Sequence, residues 1–274
     1  MHPTATIAKR AALGAGRIIL RYYDRLDQVQ VSAKGKSDLV RDLDLQAEQE
    51  IIHTIRRAYP DHAIVAEESS PTGAPGRGAN SEDQWIIDPL DGTTNYLHRF
   101  PQFAVSIAFK SRGRLEMGLV YDPLRQELFL ASRGRGALLN DRRIRVSNPV
   151  GVDTALVGTG FPARCPEHLP AYLAMFAAVL DQCSEIRRAG SAALDLAFVA
   201  AGRLDGFWEI GLKPWDIAAG VLLIQEAGGM VGDFQGQHAY FQSGHLVAGG
   251  AKVYRALLQA IAPHLTPALG GGLQ

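Results

Sequence analysis

The chain has 274 residues, 28 basic and 28 acidic, and 47% of it is hydrophobic. This length and composition fit one large or two ordinary globular domains. The balanced charge excludes bulk attraction to nucleic acid or anionic membrane, and no apolar run approaches the ~18 residues that span a bilayer. Cys165 and Cys183 lie too far apart for a metal knuckle and read as reduced thiols. Lys9, Arg10 and Arg17 interrupt the apolar residues of the N-terminal segment, so it lacks a signal-peptide core. The expected location is the cytoplasm.

Ile7, Ala11, Ala15, Ile18, Ile19 and Tyr22 recur at helical spacing, which predicts a helix over residues 4–24. The polar stretch Lys34-Gly35-Lys36-Ser37-Asp38 reads as a mobile loop or hairpin. Leu43, Ala47, Ile51 and Ile55 step by four, predicting a second helix from Asp42 to Ala58 that Tyr59-Pro60-Asp61 ends. Residues 62–66 read as a short strand with Glu67-Glu68 at its end, and 69–83 as a Ser/Pro/Gly-rich loop. Trp85-Ile86-Ile87 is a buried strand. Runs at 103–110, 115–121 and 127–131 predict an antiparallel meander, with turns at Gly113 and at Asp122-Pro123. Beyond Val152, strands at 155–158, 206–209, 230–234 and 245–248 alternate with helices at 169–182, 191–201, 216–227 and from 251, a layered α/β pattern. The domain boundary is expected near 145–152.

The segment Asp88-Pro-Leu-Asp91-Gly-Thr93 carries the most chemistry. A strand delivers Asp88 at its C-terminal end, Pro89 stiffens the turn, and Asp91 follows three residues later. Two carboxylates this close repel unless a cation lies between them, and oxygen-only ligands favour Mg²⁺ over zinc. Gly92-Thr93-Thr94 can open a helical turn whose free N–H groups face an anion. The same residues also suit a plain turn, with the aspartates capping and the glycine relieving strain. Glu67-Glu68 at a strand end read alone as surface charge, Asp216 before an apolar helix as an N-cap, and Asp38, Asp42 and Asp44 as acids favoured by a helix dipole. Taken together, they are acids delivered from several element ends, as in two-metal phosphoryl sites. Glu209 closes the aromatic strand Gly206-Phe207-Trp208. The histidines are scattered, and none pairs with a nucleophile.

Glu67-Glu68-Ser69, the block WIIDPLDGTTNYLHRFPQFAVSIA from Trp85, the block RRAGSAALDLAFVAAGRLDGFWEIGLKPWDIAAG from Arg187, and EAGG resemble the inositol monophosphatase family in order and spacing, closest in appearance to its bacterial inositol-1-monophosphatase branch. The resemblance runs from the first helix to about residue 262. It implies an α+β / α/β layered sandwich (αβαβα) of the inositol monophosphatase / fructose-1,6-bisphosphatase type. Residues 1–148 would form an α+β domain with the metal and phosphate site, 149–267 an α/β domain with substrate-recognition residues, and 268–274 an unordered tail.

For the site, the resemblance implies Glu67, Asp88 and the Leu90 carbonyl as ligands of one Mg²⁺, and Asp88, Asp91 and Asp216 as ligands of a second. Asp91, Gly92 and Thr93 would bind phosphate. Thr93, with Glu67 or Asp44, would orient the attacking water, and Ala192 and Glu209 would contact a polyol. Arg41 and Asp42 depart from the family pattern, which bears on a third ion. The implied activity is hydrolysis of myo-inositol monophosphate by metal-activated water in a lithium-sensitive homodimer. Alternatives are related phosphatases of fructose bisphosphate, adenosine 3′,5′-bisphosphate or histidinol phosphate. A further alternative is a non-enzymatic role with transcription antitermination factors, in which the Arg133–Arg145 and Arg187-Arg188 stretches would make contacts. Apart from the resemblance, Lys34 and Lys36 on their polar stretch can close over the phosphate, with plain solvated charge as the alternative reading.

Overall fold

In a computed structural model, residues 3–23, 33–70 and 81–270 are described, with the side chains of 33–39 outside the description. The chain divides into two compact units. The first comprises Met1–Arg143 with Gly190–Leu194 and Trp215–Leu223, and the second comprises Ile144–Ala189, Asp195–Pro214 and Ile224–Gln274.

The first unit is built on a seven-stranded sheet in sequential order: β1 (Ala63–Ala66), β2 (Asp83–Asp91), β3 (Ala104–Ser111), β4 (Arg114–Asp122), β5 (Glu127–Ser132), β6 (Gly136–Leu139) and β7 (Arg142–Ile144). β1 runs parallel to β2, and the pairs from β2 through β6 are antiparallel. The expected meander therefore extends through two further strands, whose arginines and glycines hide their period.

Two long helices, α1 (Pro3–Tyr23) and α2 (Ala33–Ala58), cover one face of this sheet. α1 presents Ala5, Ala8, Ala12, Ala15 and Ile19 to a core that includes Met117, Leu119 and Tyr121 of β4. Small residues let this helix lie close. A Cβ on Gly16 would come within 2.6 Å of the Tyr121 ring. The alternate β4 residue Gly118 faces the opposite way, where a Cβ would lie 2.6 Å from the Ala219 carbonyl, so Trp215–Leu223 covers the other face.

The polar stretch Lys34–Asp38, read as a loop or hairpin, has helical backbone instead, because α2 begins at Ala33 rather than near Asp42. One glycine costs a helix only about 1 kcal/mol relative to alanine. Val40 also continues the buried stripe of Leu43, Ala47, Ile51 and Ile55 toward the N-terminus. Asp42 and Asp44 thus sit inside the helix, where a dipole does not explain them. The side chains of Lys34 and Lys36 lie outside the described residues.

The second unit holds a five-stranded mixed sheet in the order β11-β12-β10-β8-β9, formed by β8 (Leu156–Thr159), β9 (Glu185–Arg187), β10 (Gly206–Glu209), β11 (Met230–Gly232) and β12 (Leu246–Gly249). β10 pairs parallel to β8 and antiparallel to β12. Helices α4 (Leu169–Leu180) and α8 (Ala251–Ile261) share one core with Val157, Trp208 and Val247. Gly158, the next residue of β8, points away toward Asp195 of α5 (Ala192–Ala200), placing that helix on the other face. A layered α/β sandwich, with helices flanking mixed sheets, is the result. Short α3 (Thr93–Leu97), α6 (Pro214–Glu226) and short α7 (Tyr240–Ser243) complete the helices. The tail expected to be unordered from 268 is tied in further along. Gly270 N–H bonds the Thr266 carbonyl at 2.8 Å, and Leu269 packs into the core at 2% exposure.

Candidate active site

The site in the first unit starts from an irregularity in β2. Asp88 pairs with Ser106 of β3 but Asp91 pairs with Ala104, so three steps on β2 match two on β3. In a regular strand, residues three apart point to opposite faces. The bulge at Pro89-Leu90 cancels that alternation and turns both aspartates to one side. The Asp88 carboxylate accepts the Leu90 N–H at 3.0 Å, and the Thr93 hydroxyl donates to the Leu90 carbonyl at 3.0 Å, closing the turn.

Gly92 follows at φ 95°, in the left-handed region, and a Cβ there would lie 2.7 Å from the Gln102 carbonyl. Glycine is therefore demanded both by conformation and by space. Gly92 then caps α3, with Tyr96 N–H bonding its carbonyl at 3.0 Å.

Asp216 reaches this turn from the first turn of α6, which opens with Pro214. The Ser106 hydroxyl, on the residue paired with Asp88, donates to the Trp215 carbonyl at 3.2 Å and fixes that helix start. One carboxylate oxygen each from Asp88, Asp91 and Asp216 lies within 4.8 Å of the others, a grouping that can hold a metal ion. Asp88 and Asp216 are 1% and 2% exposed.

Two residues not singled out from the sequence anchor Asp91. Its Oδ2 accepts the Ser191 hydroxyl at 2.6 Å and the Ala193 N–H at 2.8 Å, at the start of α5. Ser191 Oγ also accepts the Leu194 N–H at 3.4 Å, and a serine just before an apolar helical run is the legible signal for such a cap. Ala192, between them, is buried. Asn95 Nδ2 bridges the Gln102 and Gly190 carbonyls and ties the same two segments together.

A second group of acids adjoins the first. Glu67 follows β1 and shares a hydrogen bond with the Asp88 carboxyl. Asp44, on α2, is 4% exposed, and its Oδ1 has no hydrogen-bond partner. Glu48, one turn along α2 and 2% exposed, accepts the Glu68 and Ser69 N–H groups. The sequence reading missed Glu48 because it looks like one more helix-surface acid.

Burial and the repulsion of neighbouring acids push four carboxyls up, those of Asp44, Asp88, Asp91 and Glu68. Asp44 rises to about 8 through burial and then the charges of Glu68, Glu67 and Glu48. Asp88 rises well above the ordinary range through burial and then Glu67, Asp91 and Asp216. Asp91 rises to about 7 through burial and Asp216, although its bonds from Ser191 and Ala193 pull the other way. Glu68 also rises through burial and Glu48, with Arg41 opposing. Such a site keeps its protons or takes up a cation. The donors are all hard oxygens, and Asp44, beside Glu67, keeps a buried carboxylate oxygen without a hydrogen-bond partner, so the residues present fit a divalent cation.

Glu209 belongs to the second unit, half-buried at the end of β10. It packs over Gly160, where a Cβ would lie 2.0 Å from its carboxyl carbon.

The inositol monophosphatase family model matches residues 1–266. The Nus factor SuhB of Pseudomonas aeruginosa is 54% identical over 271 residues, covering 98% of this chain and 99% of the relative. The crystal structure of the extragenic suppressor protein suhB of Bartonella henselae superposes with TM-score 0.85 at 42% identity, over 93% of this chain and 97% of that one. Inositol monophosphatase from Anabaena superposes with TM-score 0.84 at 37% identity, over 97% of both chains. The chain belongs to the inositol monophosphatase family.

Proposed function

We propose that the chain is a Mg²⁺-dependent phosphomonoesterase that hydrolyses a small phosphorylated polyol, with myo-inositol monophosphate the leading substrate. The observation that carries this reading is the convergence of Asp88, Asp91 and Asp216 within 4.8 Å, beside Glu67 and Asp44. Glu67, Asp88 and the Leu90 carbonyl would hold one Mg²⁺, and Asp88, Asp91 and Asp216 would hold a second. When bound, Mg²⁺ supplies positive charge that acidifies water and offsets charge on the phosphate and the departing oxygen. The chain's own groups do the rest. Gly92 and Thr93, with Asp91, bind the phosphate. The Thr93 hydroxyl, held by the Leu90 carbonyl, orients the attacking water, and Glu67 or Asp44 accepts its proton. Glu209 and Ala192 contact the alcohol, the carboxylate accepting hydrogen bonds from vicinal hydroxyls.

Two further proposals have separate support. A homodimer is supported by α4, whose Leu169, Leu173 and Leu180 share one face and stay 43%, 55% and 46% exposed. Contact with transcription antitermination factors is supported by the P. aeruginosa relative, a Nus factor.

The deciding experiment measures phosphate release from inositol, fructose, nucleotide and histidinol phosphates, in Mg²⁺ and in chelator. Inositol monophosphate should turn over fastest, and only with Mg²⁺. Turnover unaffected by chelator refutes the metal role, and preference for another phosphate refutes the substrate.

A further inference from the structure

We infer that Glu48 is a positioning residue for the metal site, fixing the turn that carries Glu67; this rests on the phosphatase reading above. β1 ends at Ala66, and the next four amides each have a defined acceptor. Glu67 N–H bonds the Ile87 carbonyl at 3.1 Å, and Ser70 N–H bonds the Ala66 carbonyl at 2.8 Å. The two amides between them are held by one side chain. Glu48 Oε2 accepts Glu68 N–H at 2.9 Å, and Oε1 accepts Ser69 N–H at 3.0 Å. Glu67 is thus clamped on both sides, by the β2 ladder before it and by Glu48 after it. Its carboxyl is delivered to Asp88 as a consequence.

The choice of residue supports the assignment. Glu48 is 2% exposed among acids, and its charge pushes the carboxyls of Asp44 and Glu68 upward. A side chain that only filled this space would do better uncharged. Glutamine would not serve, because it offers one acceptor oxygen, and its NH₂ would then confront the other amide N–H. Two amides aimed at one side chain require two acceptors, so the carboxylate is kept where it repels its neighbours.

The test titrates the full chain with Mg²⁺ by calorimetry, as parent and as Glu48→Gln, and follows rate against Mg²⁺ concentration. Groups that orient metal ligands typically cost ten- to a hundred-fold in metal affinity when lost. We expect Glu48→Gln to weaken Mg²⁺ binding at least about ten-fold and to raise the half-maximal Mg²⁺ concentration in step, with a smaller loss of kcat at saturating Mg²⁺. A lower Tm with parent-like Mg²⁺ affinity would assign Glu48 to structure alone and overturn the inference. Should Glu48→Gln not fold, Glu48→Asp keeps both acceptors on a shorter stem and should show the same loss of affinity; parent-like affinity there overturns it equally. A parent that binds no Mg²⁺ refutes the phosphatase reading itself, an outcome distinct from parent and variant binding alike.

Discussion

Removing divalent cations and raising the pH should destabilise this protein, and Mg²⁺ should restore it. Asp44 is 4% exposed, and its carboxyl is raised from the ordinary 3.8 to about 8 by burial and by Glu68, Glu67 and Glu48. Asp91 is raised to about 7 by burial and Asp216. A carboxyl with a raised folded pKa binds its proton more tightly folded than unfolded. Its contribution to stability is present at low pH and is lost as pH climbs toward the folded value. Each such group costs about 1.4 kcal/mol per pH unit inside that window, so Asp44 alone costs about 3 kcal/mol between pH 5 and pH 7. That is a large share of the ~5–15 kcal/mol that typically holds a domain together. Asp91 acts in the same direction but shares its repulsion with Asp216, so the two costs do not simply add. The assay is urea unfolding in chelator at half-unit steps from pH 5 to pH 8, with and without Mg²⁺. The midpoint should fall steadily in chelator, and Mg²⁺ should flatten the decline. A midpoint that is level or rises between pH 5 and pH 7 in chelator would show that these acids are not held protonated and would refute the reasoning.

Asp88→Asn should nearly abolish phosphate release while leaving circular dichroism unchanged, and should raise the metal-free stability at pH 8; a folded, fully active variant sinks the metal assignment. Glu209→Gln should lower kcat/KM for inositol phosphate by about ten- to a hundred-fold but affect p-nitrophenyl phosphate far less, since that ester has no vicinal hydroxyls. Equal losses on both would assign Glu209 to structure. LiCl should inhibit at fixed Mg²⁺ where NaCl at the same ionic strength does not, and identical behaviour of the two salts rejects the inference. Sedimentation at micromolar concentration should show a dimer that Leu173→Glu converts to monomer; a parent that sediments as a monomer contradicts the apolar α4 face as an interface.

What the chain discloses before folding is set by where the information lies. The stripe Leu43, Ala47, Ile51 and Ile55 is legible because burial repeats at the helical period, and all four are fully buried or nearly so. The start of α2 is not, because Lys34–Asp38 carries no apolar period and Gly35 imitates a break. β6, β7 and β9 are missed for the same reason: four residues or fewer, with arginine or glycine in each, leave too little alternation to read. The site divides along the same line. Asp88 and Asp91 draw notice as acids three residues apart at a strand end, a spacing that lets them converge across a turn but not along a regular strand. Their convergence depends on a bulge, which is a property of how β2 pairs with β3. Ser191 and Glu48 are less legible still, because each acts across the fold, on Asp91 and on the Glu68 and Ser69 amides. Acids gathered for catalysis repel one another, so the fold must commit uncharged donors and second acids to hold them. Those holding residues resemble ordinary caps and surface acids in sequence, and only their hydrogen bonds distinguish them. The distinction matters for mutagenesis: a scan limited to residues that could touch a metal would pass over Glu48, although the placement of Glu67 depends on it.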